Sequence, residues 1–301
     1  MSLAVGFIGL GAMGRGMARN LHRAGLLRGV WNRAHERAVD LAAELGCTAP
    51  ARPAELAAQC DLVVLCVSAD TDVLQVVDDM APALRPGSIV IDCSTTAAGT
   101  AREAAHRLAG RAVEFLDAPV SGGVEGAREG TLAIMVGGAD AAFARAKPVL
   151  SAVGRTVTHF GPTGAGQAAK ATNQIMCAGI IQAVAEAMAF AKAEGLPLEA
   201  LIDTLGKGAG SSWYFVHRAP NMMRNAYPPG FRVRLHEKDL RICHDMAARH
   251  GVQLPVVETT LLHYRTLIEQ GHGDDDISTI FRLKDALFAT AAPGERGQHG
   301  R

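Results

Sequence analysis

Four short stretches of this 301-residue chain carry residue types that can do chemistry. Lys170 lies in Gly164-Ala165-Gly166-Gln167-Ala168-Ala169-Lys170-Ala171-Thr172-Asn173-Gln174, a segment that continues almost without charge to Lys192. Lys170, Asn173 and Gln174 are three and four residues apart, so a helix puts them on one face. An amine on so apolar a segment either snorkels to water or belongs to a site that uses it. The second stretch is Gly9-Leu10-Gly11-Ala12-Met13-Gly14, which follows the apolar run Leu3 to Ile8 and opens a helical pattern through Met17, Leu21 and Ala24. With this spacing Gly9 makes a tight turn, Gly11 lets a pyrophosphate approach the backbone, and Gly14 lets helix and strand pack closely, the helix N-terminus facing the phosphates. The third, Ser121-Gly122-Gly123, sets a hydroxyl beside two bare backbone amides, which suits a carboxylate. Its bland alternative is a flexible turn leading into residues 124–130. The fourth is the turn Pro228-Pro229-Gly230-Phe231 ahead of Leu235-His236-Glu237-Lys238-Asp239-Leu240, whose aromatic and lysine could reach back to a cleft. There the alternative is a water-exposed Lys238–Asp239 pair in the first turn of a helix.

The glycine motif implies a dinucleotide, and the next strand bears on which one. Arg28 to Trp31 ends in Asn32-Arg33, where an NAD-binding chain usually carries an acidic residue for the ribose hydroxyls. Arg33, with Arg37, could instead pair with a 2′-phosphate, which favours NADP over NAD. The alternative is a pair of solvated arginines at a helix start, with NAD as cofactor. Other strand ends are also chemically loaded: Val67-Ser68 would line the cofactor cleft, and Asp92-Cys93-Ser94-Thr95 presents two hydroxyls.

The elements that must position these residues follow from pattern. Short apolar strands at 3–8, 28–31, 62–67, 88–91 and 114–118 alternate with helices that include 71–80 and 99–108. This is the signature of a doubly wound, mainly parallel sheet that binds ligands at the carboxyl ends of its strands. A strand at 131–136, a helix at 140–153 and a strand at 156–160 complete the sheet, and Gly161-Pro162-Thr163-Gly164 turns the chain into one long helix. Beyond Gly195 only helical patterns remain, at 198–205, 213–224, 238–250, 255–270 and 277–288. The expected class is α/β: a Rossmann-type dinucleotide-binding domain over 1–164, an all-helical substrate or dimerisation domain over 165–291, the long helix joining them, and a disordered tail over 292–301.

Composition narrows the partners. Thirty basic residues balance thirty acidic ones, so no overall field recruits nucleic acid or an anionic membrane, and a small molecule is the expected partner. The six cysteines form no C-x-x-C pair and read as reduced core thiols of a cytoplasmic protein, with neither a disulfide frame nor a zinc site. The chain begins with a strand and a glycine loop, where a signal peptide would carry a basic leader and an apolar segment. The apolar run 175–191 includes Gln182 and Glu186 and falls short of the roughly 20 apolar residues of a membrane span.

With these residues assembled, the sequence resembles the β-hydroxyacid dehydrogenase family over about residues 3–290. The likeness rests on four motifs in order: Gly9-Leu10-Gly11-x-Met13-Gly14, Asp117-Ala118-Pro119-Val120-Ser121-Gly122-Gly123, Gly166-Gln167-x-x-Lys170-x-x-Asn173-Gln174 and Lys238-Asp239-Leu240. The resemblance implies an NAD(P)-dependent oxidoreductase that interconverts a small 3-hydroxy carboxylate and its semialdehyde, as a homodimer or homotetramer, with no metal. It implies Lys170 as the acid/base, Asn173 as a substrate-positioning residue, Ser121 to Gly123 as the carboxylate holder, Thr95 and Lys238 at the cofactor, and Phe231 in the same cleft. A lysine pKa, near 10.4 when free, should then be depressed by the apolar helix and the cationic nicotinamide. Residues 230–236 and 270–276 resemble the tartronate semialdehyde reductases, whereas Trp31-Asn32-Arg33 and Ser211-Ser212-Trp213 resemble the NADPH-dependent glyoxylate/succinic semialdehyde reductases. Ala34 departs from that second branch, which carries a hydroxyl residue there. Two alternatives stand beside this reading: a non-catalytic NADP-binding interaction protein, which retention of Lys170 argues against, and an imine reductase, whose sequences usually lack that lysine. Decarboxylating 6-phosphogluconate dehydrogenase is a poorer match because its helical part is much longer.

Overall fold

A computed structural model of the chain describes residues 3–290, so the expected tail lies outside the described residues. The chain divides into two compact units, Met1–Thr172 and Asn173–Arg301.

In chain order the first unit holds β1 (Val5–Ile8), α1 (Gly14–Arg23), β2 (Leu27–Trp31), α2 (His35–Leu45), α3 (Pro53–Ala57), β3 (Leu62–Leu65), α4 (Asp70–Met80), β4 (Ile89–Asp92), α5 (Ala98–Ala109), β5 (Glu114–Asp117), β6 (Val120–Ser121), α6 (Gly123–Glu129), β7 (Leu132–Gly137), α7 (Asp140–Val153) and β8 (Gly154–Gly161). The strands lie in the order β2-β1-β3-β4-β5-β7-β6, with β8 added beside β7. Neighbours from β2 to β5 are parallel; β7 runs antiparallel to β5 and to β6, and β8 runs parallel to β7.

The strands are apolar on both faces because both faces are covered. Val5, Phe7, Val64, Ile89 and Ile91 pack with Met17, Leu21 and Leu41 in one core, while Ile8, Val63, Leu65 and Val90 pack with Val73, Val77 and Leu108 in the other. That two-sided packing confirms the doubly wound arrangement. Register aligns Ile8, Leu65, Asp92 and Asp117 as a row across β1, β3, β4 and β5. The residues just past this row therefore share one edge of the sheet: the glycine turn after Ile8, Val67-Ser68 after Leu65, Ser94-Thr95 after Asp92 and, after Asp117, the connection to Ser121-Gly122-Gly123.

One long helix, α8 (Ala165–Ala193), crosses the division between the units inside its own length. The sequence reading set the boundary at 164/165, at the start of that helix. By length and composition alone α8 is long and apolar enough to cross a membrane, which corrects the shorter estimate of 175–191. Its polar midsection has protein partners within the second unit, however. Gln182 Nε2 lies 3.1 Å from Thr260 Oγ1, and Lys284 Nζ donates to Glu186 at 2.6 Å. The second unit continues with α9 (Leu198–Leu205), α10 (Trp213–Met223), α11 (Val233–Ala248), α12 (Pro255–Glu269) and α13 (Phe281–Thr290), with no strand among its described residues. Of the six cysteines, Cys60, Cys93 and Cys243 are buried and the other three half-buried.

Candidate active site

The glycine turn is built by close approach. A Cβ on Gly14 would fall 1.9 Å from the Gly9 carbonyl oxygen, so only glycine lets α1 start against the end of β1. A Cβ on Gly11 would meet nothing within 4 Å, because this backbone borders an open groove of about 380 Å3. Gly9, Gly11, Asn32, Arg33, Val67 and Ser68 all line that groove. The first turn of α1 contains no acidic residue and its last turn carries His22 and Arg23, so its N-terminal end keeps its affinity for anions. Bare backbone, an uncompensated helix N-terminus and two arginines at the rim fit a dinucleotide.

The remaining residues of the turn shape the groove from behind. The Leu10 side chain is buried in the core, Met13 packs against it, and Ala12 is exposed. Asn32 accepts from the Leu10 amide at 2.9 Å and donates to the Ala34 carbonyl at 3.0 Å, so it ties the glycine turn to the end of β2. Arg33 is not a lone rim charge: its Nη2 donates to Asp72 Oδ1, on α4, at 2.8 Å.

Further along the same edge the environment is dry. The strand expected through Val67 stops at Leu65, since the Val67 amide turns away to donate to Ser94 Oγ at 2.9 Å. Asp92 is fully buried and accepts from the Ser94 amide at 2.9 Å, leaving Oδ2 without a partner. Burial pushes its carboxyl up to about 7, opposed by the Ser94 bonds and assisted by the charges of Asp117 and Asp70. Asp117 is also raised by burial, though four backbone amides that bond to it work in the other direction.

Asp117 fastens the start of α8. Its two oxygens accept from the Gly164 amide at 2.7 Å and the Gln167 amide at 2.9 Å, placing an anion at the helix N-terminus. The Gln167 side chain then bonds the backbone beyond β4 twice, donating to Ser94 O at 2.9 Å and accepting from Thr96 N at 3.1 Å. Gly166 sits where a Cβ would fall 2.4 Å from the Met135 carbonyl and 2.6 Å from that of Asp117. One turn after Gln167 comes Lys170, buried at 7% exposure. Thr95, half-buried, lies between the two backbone groups that Gln167 holds.

Ser121 ends β6, and Gly122 and Gly123 follow with φ of 131° and 65°, backbone that other residues rarely adopt. The segment that follows is helical: residues 123–129 form α6, whose Gly126 amide donates to Gly122 O at 3.0 Å.

The second unit orders its motif residues separately. Lys238 and Asp239 are not a first-turn pair, because α11 starts at Val233 and they fall in its second turn. Asp239 is buried; it lies 3.0 Å from Lys238 Nζ and accepts from Gln174 Nε2 at 2.7 Å. His236 contacts Tyr264 Oη at 2.9 Å and the Gln174 carbonyl at 3.3 Å. Asn173, half-buried, donates to Gln174 Oε1 at 2.8 Å. Phe231 is held by its amide, which donates to the buried Asp276 carboxylate at 2.9 Å, and its ring lies against His236. The segments 230–236 and 270–276, flagged separately in sequence, are thus adjacent, joined by a bridge between Arg232 and Asp276.

Comparison with known proteins agrees with this arrangement. Residues 4–161 match the family described as the NAD binding domain of 6-phosphogluconate dehydrogenase, and residues 164–284 match that described as NAD-binding of NADP-dependent 3-hydroxyisobutyrate dehydrogenase. The chain belongs to the β-hydroxyacid dehydrogenase family. As such a dehydrogenase it uses NAD(P). It is 37% identical to an NAD-dependent L-serine dehydrogenase of Pseudomonas aeruginosa, covering 93% of this chain and 97% of that one. It is 36% identical to an L-threonate dehydrogenase of Cupriavidus necator, over 94% and 96% of the two chains. The solved 3-hydroxyisobutyrate dehydrogenase of Mycobacterium tuberculosis, described with L-serine, superposes with a TM-score of 0.85 at 34% identity, covering 94% of this chain and 99% of that one.

Several residues that organise the dehydrogenase's site were not singled out from sequence. Asp117 and Gln167 stood inside quoted motifs without an assigned role, and Ser94 was read only as a hydroxyl. Asp72 gave no signal, since it meets Arg33 across 39 residues of sequence.

Proposed function

We propose that this dehydrogenase interconverts a small 3-hydroxy carboxylate and its semialdehyde, with NADP favoured as cofactor. The observation that carries the reading is the burial of Lys170 on a helix whose first turn is pinned by Asp117 and Gln167 to the sheet edge that also bears the glycine groove. Such pinning fixes the backbone that carries the amine, and proton transfer in a transition state requires a positioned donor. The relatives named for L-serine, L-threonate and 3-hydroxyisobutyrate share a chemistry, a hydroxyl on a short carboxylate, and it is this that we carry over.

When bound, the nicotinamide supplies or accepts the hydride. The chain's residues do the rest. The Ser121 hydroxyl and the Gly122 and Gly123 amides take the substrate carboxylate, which fixes one end of the molecule. Asn173 orients the reacting oxygen. Lys170 gives that oxygen a proton as the carbonyl is reduced, and takes the proton from the hydroxyl in the reverse direction. Thr95 borders the cofactor in this reading, and Val67 and Ser68 line its groove.

The test is a panel. NADPH and NADH oxidation is followed with tartronate, succinic and methylmalonate semialdehydes and glyoxylate, and NADP+ and NAD+ reduction with 3-hydroxyisobutyrate, L-serine and L-threonate. Turnover confined to carboxylate-bearing substrates is expected. Equal turnover of a cyclic imine or of an aldehyde lacking a carboxylate would overturn the assignment.

A further inference from the structure

We infer that Asp72 is a cofactor-specificity residue: it supplies, from a different strand connection, the acidic group that the end of β2 lacks, and so offsets the NADP preference that Arg33 confers. The inference builds on the reading that the adenosine end of the cofactor lies at the Arg33 rim.

Three observations converge on it. The acidic position normally found at the end of the second strand is occupied by Asn32 and Arg33, and Asn32 is already engaged with the Leu10 amide and the Ala34 carbonyl. Asp72 borders the same groove, and its carboxylate holds Arg33 at 2.8 Å. Finally, Asp72, Gln75, Val76 and Asp79 all line the groove at positions i, i+3, i+4 and i+7 of α4, so one face of that helix turns toward it and brings a second carboxylate.

The pair is asymmetric. The Arg33 side chain is 75% exposed while that of Asp72 is 17% exposed, so the acid is the fixed member and the base the movable one. Asp72 also sits in the first turn of α4, where a negative charge is favoured by the helix N-terminus. A ribose 2′-hydroxyl can donate to such a carboxylate, whereas a 2′-phosphate meets its repulsion and must share Arg33 with it. Arg33 and Asp72 therefore pull the cofactor preference in opposite directions, and the wild-type chain binds both dinucleotides.

Isothermal titration of the full chain with NADP+ and with NAD+ decides this, using wild type, Asp72→Asn, Asp72→Ser and Arg33→Ala, each checked for an unchanged melting temperature. For both Asp72 variants the ratio Kd(NADP+)/Kd(NAD+) should fall about tenfold, the scale of one charge-assisted contact. The NADP+ part of the gain should shrink as salt is raised from about 0.01 M to 1 M, where the screening length contracts from about 30 Å to 3 Å. Arg33→Ala should move the ratio the other way. A ratio unchanged within twofold in both Asp72 variants, with Arg33→Ala still weakening NADP+, would overturn the inference and leave the NADP reading standing. No change in any variant would overturn both.

Discussion

The two ends of one sheet edge are built on opposite electrostatic principles. Beyond β1 and β2 the groove is open, and there the exposed Arg33 meets the largely covered Asp72 at the groove's rim. Beyond β4 and β5 the carboxylates of Asp92 and Asp117 are buried, and their partners are backbone amides of β4's own exit loop and of the first turn of α8. A wet pair is weak and exchangeable, so cofactor choice can change there with little effect on folding. A dry carboxylate is costly to leave unpaired, so the geometry that holds Lys170 is written into the stability of the fold. On the proposed reading, cofactor selectivity is thereby set at one end of this sheet edge and catalysis at the other.

Mutations should expose that contrast. The largest effect is expected from Asp117→Ala, which strips the Gly164 and Gln167 amides of their buried acceptor. Chemical denaturation should show a loss of about 2–6 kcal/mol, at about 1–3 for each of the two buried donors left unpaired. Next comes Gln167→Leu, which removes two bonds to the 94–96 backbone. Lys170 then loses its alignment, and kcat should fall about 10- to 100-fold with the dissociation constant for cofactor little changed. A cofactor affinity that fell in parallel would instead assign Gln167 to general folding.

Asp92 gives a pH test of the dry end. Its native carboxyl titrates near 7, well above the unfolded value, so the native state holds an extra proton between about pH 4 and 7. Stability from this group is therefore greatest in acid, declines across that window and stays low above it. Asp92→Asn should raise the melting temperature by about 3 °C at pH 8 relative to wild type and by much less at pH 5. A difference independent of pH would show that Asp92 is already ionised in the native protein. The smallest effect is expected at the wet end, where Arg33→Ala should change stability by less than about 0.5 kcal/mol. A larger loss there would erase the contrast.

Much of this was legible in the residues, and the exceptions have local causes. The helices at 140–153 and 198–205 match α7 and α9 to the residue, because their apolar spacing is regular and their ends are marked. The glycine turn and its groove were legible because close backbone approach demands glycine at fixed spacing. Three short or diluted helices were not. α2 was anticipated only as a helix start, α3 is five residues long, and α6 contains Gly123 and Gly126, which lower its propensity. The early start of α11 depends on a remote cap: the Val233 and Arg234 amides donate to Asp275 O and Gly273 O, both at 3.0 Å, and those carbonyls lie some forty residues downstream. Likewise, the pairing of Asp72 with Arg33 and of Asp117 with the head of α8 is set by strand order, which a local pattern does not encode.

The most direct test of the account is the single-turnover rate of NADPH oxidation by Lys170→Met, measured with the best semialdehyde of the panel and set beside the Kd for NADPH of the same variant. The account predicts a rate lower by about 10^2- to 10^4-fold, the usual worth of a positioned acid/base, with NADPH bound as tightly as by wild type. A variant that turns over at the wild-type rate while binding NADPH normally would contradict it.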